Sequence, residues 1–345
     1  MVNVGIAGLG FMGMTHYNAY QKVRGAKVRA IAETDPKRLA GDWRSIKGNF
    51  GPPGELVDLT GIAKYAQIGE MLADPTIDMI DVCLPPALHA QTVIDALNAG
   101  KHVLCEKPIA LKTADADRMV QTSQKTGKLL MIAHVLPFFP EYRFAYRAIT
   151  SGKYGAFLGG HFKRIISDPL WLPDFYDPDR TGGPMIDLHI HDAHFIRLLC
   201  GMPEAVQSVG KMRGEVVERF QTQFLFENHD LVVTAASGVI NQQGRSFTHG
   251  YEIYLEQATI TFESAVIEDQ GQNIMPLTVF LDKKNKVLRP ALEGTDAFVG
   301  ELTEAVRAVR SGEASPLLAG ELARDALVLG NRQTQSVLRR KAVKV

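Results

Sequence analysis

The chain opens with Val2-Asn3-Val4-Gly5-Ile6-Ala7, a short β-branched run that passes directly into Gly8-Leu9-Gly10-Phe11-Met12-Gly13 and then into a helical pattern. No other feature narrows the possible folds as much. In a GxGxxG turn between strand and helix, the first glycine permits the tight turn and the second lets backbone approach a pyrophosphate. The third allows close packing, with phosphate at the helix N-terminus. Alone the hexapeptide is a weak signal; strand, spacing and a following acid strengthen it. Glu33, in Ile31-Ala32-Glu33-Thr34-Asp35-Pro36, ends the second strand about 20 residues past Gly13, where a carboxylate accepts the hydroxyls of an adenine ribose. The same carboxylate repels a 2′-phosphate, so NAD is favoured over NADP, with Lys37 and Arg38 near enough to soften that preference. Gly8, Gly10, Phe11, Met12, Gly13 and Glu33 are the expected cofactor-binding residues of this segment.

The first half repeats the strand-helix alternation. Apolar runs at 28–32, 79–84, 102–105 and 129–135 read as buried parallel strands. Between them lie amphipathic segments at 87–99, closed by Gly100, and 113–125, opened by Thr113 as N-cap and closed by Gly127. The expectation is a doubly wound parallel sheet with helices on both faces, an α/β Rossmann domain over residues 1–136. Residues 41–64 are too rich in Gly and Pro for a helix interior, so they form either a surface excursion or a flap near the cofactor. After Pro137 a helix at 141–150 and a strand at 156–166 precede an irregular loop and a helix starting near Pro184. From Glu218 onward hairpin patterns dominate, before helices return at 297–310 and 320–339. The second domain, 137–345, is therefore expected to be α+β with a large, mainly antiparallel sheet.

The 345 residues carry 38 basic and 38 acidic side chains, so no net field draws the chain to nucleic acid or anionic lipid. A small neutral partner suits it better. Three cysteines, Cys83, Cys105 and Cys200, form no CxxC pair, and no apolar stretch is long enough to span a bilayer. A cytoplasmic protein without a membrane partner is expected.

The fifth strand runs into Cys105-Glu106-Lys107-Pro108. Ligands of open α/β sheets lie beyond the carboxyl ends of strands, so Glu106 and Lys107 should project towards the nicotinamide half of the cofactor. Further on, Asp187 and His191 stand at i and i+4 of the expected helix, where a carboxylate can orient an imidazole and favour its protonated form. Such an imidazole accepts a hydroxyl proton as hydride leaves the carbinol carbon. Lys107 beside that carbon would stabilise developing alkoxide character. Asp187, His191 and His194 at i, i+4 and i+7 also suit a transition metal, but the redox roles account for two of the three and no metal is expected.

The Glu-Lys-Pro strand end resembles that of the glucose–fructose oxidoreductase, inositol dehydrogenase and MocA family (Gfo/Idh/MocA). So do Pro85 to His89, similar to the family's Pro-x-x-x-His segment, and Gly182 to His191, similar to its glycine-rich entry to a helix bearing Asp-x-x-x-His. The resemblance implies that Pro85, His89, Glu106 and Lys107 join the cofactor site, with Lys107 in a proton or electrostatic role, His191 as acid/base and Asp187 as its partner. The family's basic residue before the second domain is replaced by Leu136-Pro137-Phe138-Phe139, which leaves His134 as a candidate substrate contact. In the loop 167–181, Trp171 and Tyr176 would either stack on a sugar ring or fill an interface.

The expected protein is thus an NAD(H)-dependent oxidoreductase that interconverts a secondary alcohol and a ketone on a sugar, cyclitol or sugar acid at an interdomain cleft. It would form a homodimer or homotetramer through the C-terminal sheet. The competing expectations are an NAD-retaining glycoside hydrolase or lyase using transient oxidation, and a non-catalytic cofactor-sensing regulator.

Overall fold

Six strands pair in parallel in the N-terminal part of the computed structural model, which describes residues 1–48, 50–268, 270–282, 286–292, 294 and 296–345. They are β1 (Val2–Ala7), β2 (Ala26–Ala32), β3 (Ala63–Tyr65), β4 (Met79–Val82), β5 (His102–Glu106) and β6 (Leu130–Ala133). Their order is β3-β2-β1-β4-β5-β6. The helices α1 (Phe11–Tyr20), α2 (Pro36–Ala40), α3 (Ile68–Leu72), α4 (His89–Asn98) and α5 (Thr113–Thr126) alternate with the strands along the chain. Val4, Ile6, Ile31, Ile80, Val82, Val103 and Leu104 are fully buried, so adjacent strand positions are apolar because helices cover both faces. The order reverses between β1 and β4, the switch point at which open sheets of this kind bind ligands. One detail differs from expectation: Lys112, not Thr113, precedes α5 and caps nothing with its side chain.

The excursion at 41–64, of which residue 49 lies outside the described residues, folds back on this unit. Trp43 is buried edge-on against Tyr17 with centroids 4.9 Å apart, and its indole N–H donates to the Arg38 carbonyl at 2.9 Å. Phe50 packs edge-on against Phe11 of the glycine turn, 4.7 Å away. The segment is therefore a strap fastened beside that turn.

The remainder contains α6 (Pro140–Thr150), β7 (Phe157–Ser167), α7 (Gly183–Asp187) and α8 (Ile190–Cys200). The strands β8 (Ala205–Arg213), β9 (Val216–Leu225), β10 (Val232–Ile240), β11 (Arg245–Leu255), β12 (Ala258–Ile267), β13 (Gln270–Leu281) and β14 (Lys286–Leu288) follow. Then come α9 (Ala297–Ser311), α10 (Gly320–Arg339) and β15 (Val343–Lys344). The sheet order is β14-β13-β12-β11-β7-β10-β9-β8-β15. All its pairs are antiparallel except β7 with β10. Along β9, Phe220, Thr222 and Phe224 are buried while Arg219, Gln221 and Gln223 are exposed, so one face carries the core and the other stays open. Arg164 and Asp192 form a buried ion pair beneath the covered face, at 2.7 and 3.1 Å.

The chain divides into two compact units, Met1–Val135 with Thr295–Arg324, and Leu136–Gly294 with Asp325–Val345. The expected continuous second domain from 137 onward is corrected to this extent: α9 belongs with the nucleotide-binding unit. The reason is local packing. Phe298 stacks on Phe50 at 5.4 Å, and Glu301 of the same helix is wholly buried. Among the described residues, no helix is long and apolar enough to cross a membrane.

Candidate active site

The glycine turn has the geometry a dinucleotide needs. Gly8 sits at φ +92°, and a Cβ there would stand 2.7 Å from the Cys83 carbonyl oxygen. A Cβ at Gly13 would collide with the Gly8 carbonyl oxygen, whereas one at Gly10 would meet no atom within 4 Å. The space in front of Gly10 is thus open for a pyrophosphate. Gly10 starts α1 with no side-chain cap and no acid in the first turn, which leaves backbone N–H groups and the positive helix end for phosphate. Phe11 and Met12 are half-buried in that first turn.

Glu33 ends just past β2, half-buried. Its Oε2 accepts the Leu9 N–H at 2.8 Å and its Oε1 the Asp35 N–H at 2.9 Å. The carboxylate therefore braces the glycine turn itself. Each oxygen retains a second lone pair, so ribose hydroxyls can be accepted as well. These residues fit NAD.

At the carboxyl ends of β4 and β5, Pro85 is exposed at the head of a short 3-10 turn and Lys107 is half-buried. Glu106 Oε2 accepts the backbone N–H of Lys107 at 3.0 Å. His89 has a structural role in its own right. Its ring is fully buried with Nδ1 2.8 Å from the Pro108 carbonyl and Nε2 2.8 Å from the Leu84 carbonyl, so the ring sits between the two strand-end loops. His134, the proposed pocket residue, closes β6 in the first unit with its side chain fully buried.

In the second unit the single helix expected from Pro184 is two helices. The His189 N–H reaches back five residues to the Pro184 carbonyl at 2.9 Å, and Leu188 shares the same acceptor at 3.2 Å. This widened turn separates α7, which ends at Asp187, from α8. The single regular helix register assumed for Asp187, His191 and His194 is thereby corrected: Asp187 ends α7, while His191 and His194 lie on α8. Burial then sorts the histidines. His189 and His194 are fully buried, and so is Asp192 opposite Arg164; Asp187 and His191 remain part-exposed. His189 packs edge-on against Phe220 at 4.8 Å, and burial pushes its pKa down to about 4.

The loop before α7 is held at its base. Tyr176 donates its hydroxyl to Asp168 at 2.9 Å, and the Arg213 guanidinium lies 3.7 Å over its ring, while Phe175 is buried. Trp171 is 56% exposed, so the indole rather than the phenol offers a free aromatic face.

One constellation escaped sequence reasoning. His16 of α1, Asp81 of β4 and Cys83 present atoms within 4.8 Å of one another, all buried. His16 Nδ1 and Asp81 Oδ2 are 2.9 Å apart, a buried hydrogen-bonded ion pair. The available signal was an aspartate inside an otherwise apolar strand, Met79-Ile80-Asp81-Val82.

A parallel sheet with a glycine turn at its switch point, followed by a mainly antiparallel sheet, is a Rossmann-type nucleotide-binding unit joined to an α+β unit. Residues 2–134 match the family described as an oxidoreductase family with an NAD-binding Rossmann fold, and residues 142–261 match the GFO/IDH/MocA C-terminal domain. The chain belongs to the Gfo/Idh/MocA family. Among its relatives, myo-inositol 2-dehydrogenase of Thermotoga maritima is 28% identical over 356 aligned positions, covering 100% of this chain and 98% of the relative. A levoglucosan dehydrogenase solved with NADH and levoglucosan superposes with a TM-score of 0.79 at 20% identity, over 100% and 99% of the two chains. Apo scyllo-inositol dehydrogenase from Lactobacillus casei superposes at 0.73 and 20%, over 100% and 98%.

Proposed function

We propose that the protein interconverts a secondary alcohol and a ketone on a cyclitol, sugar or sugar acid. Bound NAD supplies the hydride acceptor or donor. Lys107 stabilises negative charge on the substrate oxygen, His191 takes or returns the hydroxyl proton, and Asp187 supports the charged imidazole. The observation that carries this reading is the sorting of the histidines: in Asp187-Leu188-His189-Ile190-His191-Asp192-Ala193-His194, burial withdraws His189 and His194 and leaves His191 accessible. A general base must reach its proton before its pKa matters. Trp171 and Tyr176 are read as substrate contacts, with Trp171 supplying the exposed ring.

Glu33 is read as selecting NAD over NADP. The open polar face of the large sheet, with Gln207, Gln221 and Gln223 exposed, is read as the surface that pairs subunits into a dimer or tetramer. Three free cysteines support a reducing, cytoplasmic setting.

The test is a panel of inositols, aldoses and sugar acids with NAD, followed through absorbance of reduced nicotinamide. Reduction with at least one polyol, and less with NADP, is the expected result. Silence across the panel, or sustained cleavage of glycosides without added NAD, would replace this reading by a different chemistry.

A further inference from the structure

Beneath the glycine turn, the first unit encloses ionisable groups that neither the cofactor nor the substrate reading uses. His16 is fully buried, with Nδ1 2.9 Å from Asp81 Oδ2 and Nε2 3.1 Å from Glu106 Oε1. Cys83 Sγ stands 3.5 Å from His16 Nδ1 and 3.5 Å from Asp81 Oδ1. From α9, Glu301 is fully buried with no hydrogen-bond partner on either oxygen among the described residues, and the hydroxyl of Tyr20 of α1 is buried as well.

Charge requirements settle the state of the ring. Two buried carboxylates flank the ring, and a protonated imidazole between them compensates their charge. Nδ1 is hydrogen-bonded to Asp81, whereas Nε2 faces Glu106 at ion-pair distance without a hydrogen bond, so a doubly protonated ring meets Glu106 through its charge. Burial lowers the His16 pKa, but Asp81 and Cys83 more than offset it, so the ring titrates well above its ordinary value. Burial also raises Glu301 well above the carboxylic range, so it remains a neutral acid beside the ion pair. One imidazolium then faces two carboxylates, one from β4 and one from β5, and offsets part of their charge.

The consequence lies at the end of β5. Glu106 presents one oxygen to His16 and the other to the backbone N–H of Lys107. We propose that His16 is a positioning residue for hydride transfer: as an imidazolium between Asp81 and Glu106, it fixes the Glu106 carboxylate and thereby sets where Lys107 stands. This rests on the reading of Lys107 as a group that acts on substrate, and it extends that reading to the opposite side of the strand. His16 itself touches no reactant, so its influence must pass through Lys107.

The test is a cycle of His16→Gln, Lys107→Met and the double variant, each saturated with NAD, assayed with the fastest polyol of the panel. NADH binding is measured by fluorescence. His16→Gln should lower kcat roughly 10- to 100-fold, leave NADH affinity within about 3-fold, and have little further effect once Lys107 is Met, because the groups act as one unit. A wild-type rate in Lys107→Met removes the underlying reading of Lys107. An inactive Lys107→Met beside a fully active His16→Gln, or losses that multiply in the double variant, overturns the positioning role alone. If His16→Gln does not fold, the wild-type holoenzyme still decides: its His16 ring nitrogens in ¹⁵N NMR should show the doubly protonated form across neutral pH. A neutral ring at pH 7 defeats the proposal.

Discussion

Gly10→Ala separates binding from folding at the cofactor site. A methyl group there meets no atom within 4 Å, and φ −79°, ψ −162° is open to any residue. Replacing Gly by Ala removes about 0.4–1 kcal/mol of unfolded-chain entropy, and Ala is a poorer helix N-cap than Gly by a comparable amount. The two terms nearly cancel, so stability should stay within about 1 kcal/mol of wild type. Binding should not. The methyl group occupies the space left for the pyrophosphate, and losing one backbone N–H bond to a charged phosphate costs about 1.5–3 kcal/mol, roughly 10- to 150-fold in Kd. Thermal melting of the free protein and calorimetric titration with NADH measure the two sides. Gly13→Ala is the control, since its Cβ would strike the Gly8 carbonyl and unfold the turn. A Gly10→Ala protein that binds NADH within 3-fold of wild type, or that loses several kcal/mol of stability, would show that the open space is not the pyrophosphate cradle.

Glu33→Ala should weaken NAD more than NADP, and should also cost roughly 1–3 kcal/mol of stability because the Leu9 and Asp35 N–H groups lose their acceptor; an unchanged NAD to NADP ratio of Kd values would count against the ribose role. His191→Ala should lower kcat by roughly 10²–10⁴ with little change in melting. His189→Ala should do the reverse, destabilising by roughly 2–4 kcal/mol; similar kinetics and melting in the two would contradict the sorting by burial. For pH, the folded pKa of His189 is depressed by burial from 6.5 to about 4, so the neutral ring stabilises above pH 6.5 and that contribution, about 3 kcal/mol, is lost as pH falls towards 4. His249, pushed by burial to about 3, acts in the same direction. The raised His16 and Glu301 of the first unit act in the opposite direction, losing stability as pH rises; a melting temperature that does not fall between pH 6.5 and 4 would refute the role of the buried neutral His189 and His249.

What the sequence revealed follows from how local each cause is. β1 at Val2–Ala7 and α10 at Gly320–Arg339 match their expected bounds, because a two-sided core demands an unbroken apolar run and a long amphipathic helix repeats its signal over many turns. The glycine turn is likewise written in adjacent residues. β13 could not be read that way: its first seven residues are exposed, and an edge region without burial carries no alternation. The break at Leu188–His189 depends on one five-residue hydrogen bond, which no spacing announces, so the segment from Pro184 reads as one regular helix. His16 and Asp81 are 65 residues apart, and only the packing of α1 on the sheet makes them partners. Assigning α9 to the nucleotide-binding unit likewise required the return of a distant segment.

In the proposed reaction Lys107 and His191 act on the same substrate. The most direct measurement is kcat for Lys107→Met, His191→Ala and the combined variant with NAD and the best polyol substrate. The account predicts large losses in both singles and a combined variant about as slow as the slower of them, as for groups that work as a unit. Losses that multiply fully, or a wild-type rate in either single variant, would contradict it.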